Sequence, residues 1–148
     1  AGDVVKVGKT VELEVLDNRF ETTGTRYGAM YVLQVANATV SRNTIAGASG
    51  YGIYLAGSGG DIQGNRLRGA AVGIWLDGSS RTAVSGNRVT ASDTWGIALQ
   101  NGSSHNDVSR NSISGSGQFD LLWDETGEGN RWTRNRCGTS NPPGLCEP

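Results

Sequence analysis

Long apolar runs are missing from this chain. None within its 148 residues is long enough to cross a bilayer as a helix, so membrane insertion is not expected. No long window carries apolar residues at helical spacing, and prolines number only three. The short Val/Ile/Leu runs that remain, punctuated by Gly, Asn and Ser, read as strands and turns. Lysine occurs only as Lys6 and Lys9, and every other basic residue is arginine. Charges balance to a net −1, which leaves no electrostatic footprint for a nucleic acid. The single histidine, His105 in "NGSSHND", reads as a loop residue, because no catalytic partner pattern surrounds it. No Ser-His-Asp order, phosphate-cradling glycine loop or metal-ligand cluster is visible. The two cysteines, Cys137 and Cys146, cannot build a structural zinc site alone. Their closeness in "CGTSNPPGLC" reads as a local disulfide made in an oxidising compartment, contributing about 2.5–3 kcal/mol by loop closure. The chain opens Ala1-Gly2 without methionine, which fits a processed secreted chain or an excised piece of a longer one.

What is abundant is glycine, 23 residues, and repetition. Asparagine recurs at Asn18, Asn43, Asn65, Asn87, Asn111 and Asn135, at gaps of 22 to 25 residues. Three residues before each anchor stand Val15, Val40, Ile62, Val84, Val108 and Trp132. Two residues after it stand Phe20, Ile45, Leu67, Val89, Ile113 and Cys137. A third column reads Gly-Ile-x-Leu at Gly52–Leu55, Gly73–Leu76 and Gly96–Leu99, decaying to Asp120–Trp123 in the last copy and to Leu33-Gln34-Val35 in the first. A period in the low twenties with three short strands per unit describes a solenoid. Leucine-rich repeats share the length but need denser leucine and a helical side. The expectation is an all-β parallel β-helix of about six coils over residues 1–136, closed by a disulfide-tied tail over 137–148. Equivalent residues stack about 4.8 Å apart, with Val, Ile and Leu inside. An asparagine ladder runs along a bend, which Asn tolerates because it visits the left-handed region.

The stretches "VSRNTI…GYGIYL", "IQGNRL…VGIWL" and "VSGNRV…WGIAL" resemble the repeats of right-handed parallel β-helix proteins, the pectin-lyase-like group. The closing "FDLLWDETGEGNRWTRNRCGTSNPPGLC" is similar to the final coil and tail of secreted bacterial members. The resemblance implies the handedness and a secreted, periplasmic or cell-surface location. It does not settle function, because the group holds lyases, hydrolases, epimerases, phage tailspikes and inactive members. Members usually carry an amphipathic cap helix at the N-terminus. "DVVKVGKTVELEV" alternates like a strand instead, so that end is expected either to adjoin earlier coils or to associate end to end.

Side chains alternate along a strand, so the variable letter of Gly-Ile-x-Leu points outward. That column is Tyr54, Trp75, Ala98 and Leu122, preceded by Gln34. Tyr54 and Trp75 either stack sugar rings or pair across strands for stability. In polysaccharide-active members of the resembled group, this strand and its loops form the substrate cleft. One step on lie Ala56, Asp77, Gln100 and Asp124. Asp77 and Asp124 would stand two coils apart, roughly 9.6 Å by strand spacing, against about 6.5–9.5 Å for the carboxyl pair of inverting glycosidases. Both also precede turns, where Asp is a common structural residue. With Asp93 and Asp120 they could form an oxygen-ligand set for Ca²⁺, though no compact calcium loop is visible. Arg19, Arg66, Arg88 and Arg136 follow anchor asparagines, Arg42, Arg110 and Arg134 precede them, and Arg68 lies close behind. This basic stripe either holds uronate carboxylates through bidentate contacts or is a solvated face whose stems cover apolar surface.

Two functions follow from these residues. One is a secreted domain that binds or processes an acidic polysaccharide along one face, through Tyr54, Trp75, Asp77, Gln100, Asp124, Arg66 and Arg88. An enzyme of this kind would be a lyase, an epimerase or a glycoside hydrolase. Against that, the alginate-epimerase-like Asp-Pro-His-Asp signature is missing and no catalytic set is complete. The other is a structural, adhesive or filament-forming element without catalysis.

Overall fold

The computed structural model describes residues 5–21 and 28–147. Among the described residues, eighteen strands wind as six coils. Strands β1 (Val5–Gly8), β2 (Glu12–Leu16) and β3 (Arg19–Glu21) form the first coil, and β4 (Gly28–Leu33), β5 (Asn37–Ser41) and β6 (Thr44–Ala46) the second. The third holds β7 (Tyr51–Ala56), β8 (Gly60–Gln63) and β9 (Arg66–Arg68), and the fourth β10 (Val72–Asp77), β11 (Thr82–Ser85) and β12 (Arg88–Thr90). The fifth holds β13 (Trp95–Gln100), β14 (Asp107–Ser109) and β15 (Ser112–Ser114), and the last β16 (Phe119–Trp123) and β17 (Arg131–Thr133), followed by β18 (Ser140–Asn141). Three parallel sheets result. Sheet A runs β1-β4-β7-β10-β13-β16-β18, sheet B β2-β5-β8-β11-β14-β17, and sheet C β3-β6-β9-β12-β15. The chain is an all-β parallel solenoid, as the repeat predicts.

The apolar columns form the core. Val40, Ile62, Val84 and Val108 from sheet B, Ile45, Leu67, Val89 and Ile113 from sheet C, and the Ile and Leu of Gly-Ile-x-Leu from sheet A pack into one buried cluster. Glycine precedes that isoleucine because the backbone leaves no alternative. A Cβ on Gly73 would lie 2.4 Å from both the Gly96 carbonyl oxygen and Val89 Cγ1, and one on Gly96 would lie 2.2 Å from Ile113 Cγ2. Each glycine therefore leaves room for the large sheet C residue of its own coil and for the backbone of the next coil.

Asn43, Asn65, Asn87, Asn111 and Asn135 are buried and link each coil to its neighbours. The Oδ1 of Asn87 accepts the backbone N–H (2.9 Å) and side-chain amide (3.0 Å) of Asn65, while its own Nδ2 donates to the carbonyl of Ile62 (2.8 Å). The same pattern repeats at Asn43, Asn65, Asn111 and Asn135. The structure corrects one detail. The left-handed residue at this bend is the one before Asn: Asp17, Arg42, Gly64, Gly86, Arg110 and Arg134 all have φ between 55° and 63°. Asn is selected instead for its inward amide, which satisfies backbone groups that the bend takes out of the sheet ladder.

Two further ladders stand at the bend from sheet A to sheet B. Ser58, Ser79 and Ser103 are buried, and each hydroxyl accepts the N–H of the preceding coil, from Val35, Ser58 and Ser79. Asn106 and Asn130 repeat the asparagine arrangement, accepting from the N–H groups of Thr82 and Asn106.

The C-terminal end is covered. Cys137 and Cys146 form the disulfide and pack against the core, where Leu145 is buried. β18 extends sheet A beyond β16. Asp120 takes the place that glycine holds in β7, β10 and β13 and is 4% exposed. Its carboxylate accepts the N–H groups of Ser116 (3.2 Å) and Gly138 (2.9 Å), tying the tail to the last coil. In the first coil Val5, Val7, Leu13 and Phe20 are only partly buried, although they pack against the same core.

Candidate functional site

Sheet A carries most of the predicted residues on its outer face. Tyr31, Tyr54, Trp75, Ala98 and Leu122 share one row in register, so the first member of this column is Tyr31 rather than Gln34. The first copy of the motif is Ala29-Met30-Tyr31-Val32, with Ala where later copies have Gly, and its inward Met30 and Val32 set the register. Gln34 lies in the following turn with φ 51°.

A second outward row was not legible from alternation. Gly52 and Ile53 both face the interior, as shown by the contact a Cβ on Gly52 would make with Leu67 and by the full burial of Ile53. The pleat is thus interrupted, and Tyr51, Val72, Trp95 and Phe119 emerge on the same side as Tyr54 and Trp75. The aromatic residue immediately before glycine was the available signal. Val72, Ala98 and Leu122 form a separate apolar cluster on this face with Trp75, Trp95 and Phe119. Rings then follow one another along the axis. Tyr31 stacks on Tyr54 at 4.7 Å, Tyr51 stacks on Tyr54 at 4.7 Å, and Trp75 meets Tyr54 edge-on at 5.1 Å and Trp95 at 6.3 Å. Lys6 lies over Tyr31 at the N-terminal end of the row, 5.6 Å from the ring centroid. Tyr54 is 8% exposed, a buried member of the row; Trp75 and Trp95 are half-buried. The indole N–H of Trp95 donates to Gln118 at 3.0 Å, whereas that of Trp75 is buried with no hydrogen-bond partner.

Ala56, Asp77 and Gln100 form the next row in register, and Asp124 directly follows β16. Asn101 bridges the two carboxylates. Its side-chain amide donates to Asp77 at 2.7 Å and its backbone N–H to Asp124 at 2.8 Å. Asp77 also accepts the Tyr54 hydroxyl. Burial, reinforced by that hydrogen bond, raises the Tyr54 phenol well above its ordinary pKa. Asp124 further accepts the N–H and hydroxyl of Thr126 at 2.9 and 2.6 Å. Partial burial pushes its carboxyl upward, but the bonds from Thr126 and Asn101 outweigh it and hold the group below its usual range. Both acids are therefore tied into the turn network that orders this edge of sheet A.

Arg66 and Arg88 stand on a different face, side by side on the outside of sheet C. Arg68 and Arg19 share that face, and Arg136 continues it through a bridge to Ser112. Arg42, Arg110 and Arg134 instead occupy the bend, where Arg42 forms a two-pronged ion pair with Asp17 at 2.7 Å. The predicted set is thus split between two sheets: aromatics and carboxylates on A, arginines on C.

A family model described as "NosD: Periplasmic copper-binding protein" matches residues 4–141. The chain belongs to the NosD family. That family is one of right-handed parallel β-helices, in agreement with the coils described above. Its periplasmic description agrees with a location outside the cytoplasm, with which the Cys137–Cys146 disulfide is also compatible. No curated protein and no solved structure matches the chain. The copper in the NosD description does not suit the donors of this chain. Copper favours thiolate, thioether and imidazole ligands. Here both cysteines are spent in a disulfide, the only methionine, Met30, is sealed in the core, and the only histidine, His105, stands alone in a loop. Carboxylates do not assemble a calcium set either. Asp120 is turned inward, Asp77 and Asp124 serve the turn network, and the described residues contain no group of three His, Cys, Asp or Glu able to hold a metal.

Proposed function

We propose that this NosD-family solenoid binds polysaccharide along the outer face of sheet A, in the periplasm or beyond it. The half-buried rings of Tyr31, Trp75 and Trp95, set around the buried Tyr54, carry this reading. Pyranose C–H groups pack on the negative faces of aromatic rings, and Tyr and Trp join an apolar body to a polar tip. A surface cluster of this kind calls for a reason. The row follows the solenoid axis, so a linear chain could lie along it. Gln100 borders the row and offers amide groups to sugar hydroxyls. The engagement of Asp77 and Asp124 supports binding over hydrolysis, since a glycosidase needs one carboxyl free to give its proton.

A glycan array with the full chain tests the proposal. At least one polymer is expected to bind, and Trp75→Ala is expected to weaken it by about tenfold or more, the equivalent of roughly 1.4 kcal/mol, while circular dichroism stays unchanged. Absence of binding to every acidic and neutral polymer would end this reading.

A second reading has its own observation. Among the described residues β1, β2 and β3 pair on one side only, and the partly buried apolar residues of the first coil lie beside them. Such edges accept further strands, either earlier coils of a longer chain or a second molecule in an end-to-end structural element. Size-exclusion chromatography across a concentration series tests the latter, and a monomer at every concentration would exclude it.

A further inference from the structure

The outer face of sheet C holds a feature that the sugar-stacking reading does not use. Arg66, Arg68 and Arg88 line a groove of about 460 Å³ together with Thr44 and Thr90, with Leu67 in its floor. Arg66 and Arg88 are paired in register on adjacent coils, so their backbones lie about 4.8 Å apart. Arg66 and Arg68 point to the same side of one strand. All three are exposed, and none makes an ion pair among the described residues.

The same sheet shows that this concentration of charge is not required by the fold. Arg19 occupies the row of Arg66, and Glu21 the row of Arg68. In that first coil Glu21 accepts a hydrogen bond from Arg19 at 2.9 Å and neutralises it. Two coils on, the position equivalent to Glu21 is a second arginine. Strands β6, β9, β12 and β15 contain no acid, whereas Glu14, Asp61 and Asp107 share one outward row of sheet B. That acidic row ends in Arg131, and the acid of sheet C, Glu21, lies in the first coil, so the arginines of β9 and β12 stand on a stretch of sheet C without acids. Guanidinium groups present paired donors to carboxylates and to sulfate or phosphate oxygens.

We propose that the outer face of β9 and β12 is a site for the charged groups of an acidic polysaccharide lying along the solenoid axis. Arg66 and Arg88 engage successive anionic groups, and Arg68 flanks them. The shared chemistry is a pair of anionic oxygens, supplied by a uronate carboxylate or by a sulfate ester. A nucleic acid fits less well, because among the described residues no aromatic ring faces outward on sheet C for bases to stack on. The proposal rests on the chain being a glycan-binding solenoid but not on the aromatic face.

Affinity electrophoresis of the full chain through polygalacturonate, dextran sulfate, neutral dextran and oligodeoxythymidine tests it. The wild-type chain is expected to be retarded by at least one acidic polysaccharide more than by neutral dextran, and the polymer that responds distinguishes carboxylate from sulfate ester. Arg66→Gln combined with Arg88→Gln should weaken that retardation about tenfold or more, as expected for losing charge-assisted hydrogen bonds. Arg68→Glu, which imports the first coil's arrangement, should act in the same direction. Arg110→Gln combined with Arg131→Gln removes the same charge elsewhere and should change little. Trp75→Ala should leave the dependence on Arg66 and Arg88 intact, which separates a failure here from a failure of the aromatic face. Equal loss in the Arg110/Arg131 variant, tighter retardation by oligodeoxythymidine through the same arginines, or no retardation of the wild-type chain would overturn the proposal.

Discussion

Two ladders run the length of this solenoid, one inside and one outside, and they obey different rules. The inner asparagine ladder repeats one residue because each amide closes two backbone hydrogen bonds of the preceding coil and bonds the amide of the next. A substitution there strands groups that no other side chain can reach. The outer row on sheet A changes letter at every step, from Tyr31 to Tyr54, Trp75 and Ala98, because its members meet each other and solvent rather than the backbone. Repetition therefore marks what the architecture demands, and variation marks where selection was free to shape a surface.

Substitutions can break or sharpen that contrast. The largest effect is expected inside, from Asn87→Leu. It removes the acceptor of the Asn65 N–H and the donor to Ile62, leaving at least two buried groups unpaired. At roughly 1–3 kcal/mol for each, a loss of about 4 kcal/mol in urea unfolding is expected, and a loss under about 1 kcal/mol would mean that the inner ladder is not enforced by the backbone. Gly73→Ala should follow. Its Cβ meets the Gly96 carbonyl oxygen and Val89 at 2.4 Å, an overpacking that costs about 1–3 kcal/mol, visible as a lowered Tm.

The outer row should respond less and differently. Tyr54→Phe deletes one hydroxyl, bonded to Asp77, and should cost about 1 kcal/mol at neutral pH. Its signature lies in alkali. The folded phenol titrates above its unfolded value of 10.0, so the unfolded chain loses its proton first. Stability that is complete below pH 10 should then fall by about 1.4 kcal/mol per pH unit above it. The Phe variant should lack that share of the decline, and parallel alkaline unfolding curves for the two proteins would remove Tyr54 from the account.

The same contrast explains what could be read from the letters alone. The coil count, the three strands per coil and the inward columns were legible because Val84, Asn87, Val89, Ile97 and Leu99 recur with their equivalents at a nearly fixed period. Cys137 and Cys146 were legible from their closeness. Tyr31 was missed because the first copy has Ala29 instead of glycine, and the motif was aligned three residues too late. Tyr51, Trp95 and Phe119 were missed because strict alternation breaks where glycine and the following residue both turn inward. The partners of Asp77 and Asp124 depended on Asn101, a turn residue that carries no periodic signal. By contrast, the separation of arginines from aromatics was legible, since Arg66 and Arg88 flank the asparagine bend while Tyr54 and Trp75 sit in the Gly-Ile-x-Leu strand.

Asp120 has a consequence for how such a protein can change in length. Interior coils can be copied because glycine at that seat accepts the next coil, whatever its number in the stack. The carboxylate of Asp120 binds the tail instead, through Ser116 and Gly138, and admits no further coil of the same kind above it. A duplication that lengthens this molecule must therefore enter before Phe119 and carry a whole unit, from one asparagine to the next. The final coil works as punctuation: it can be pushed further along the chain, but not written through.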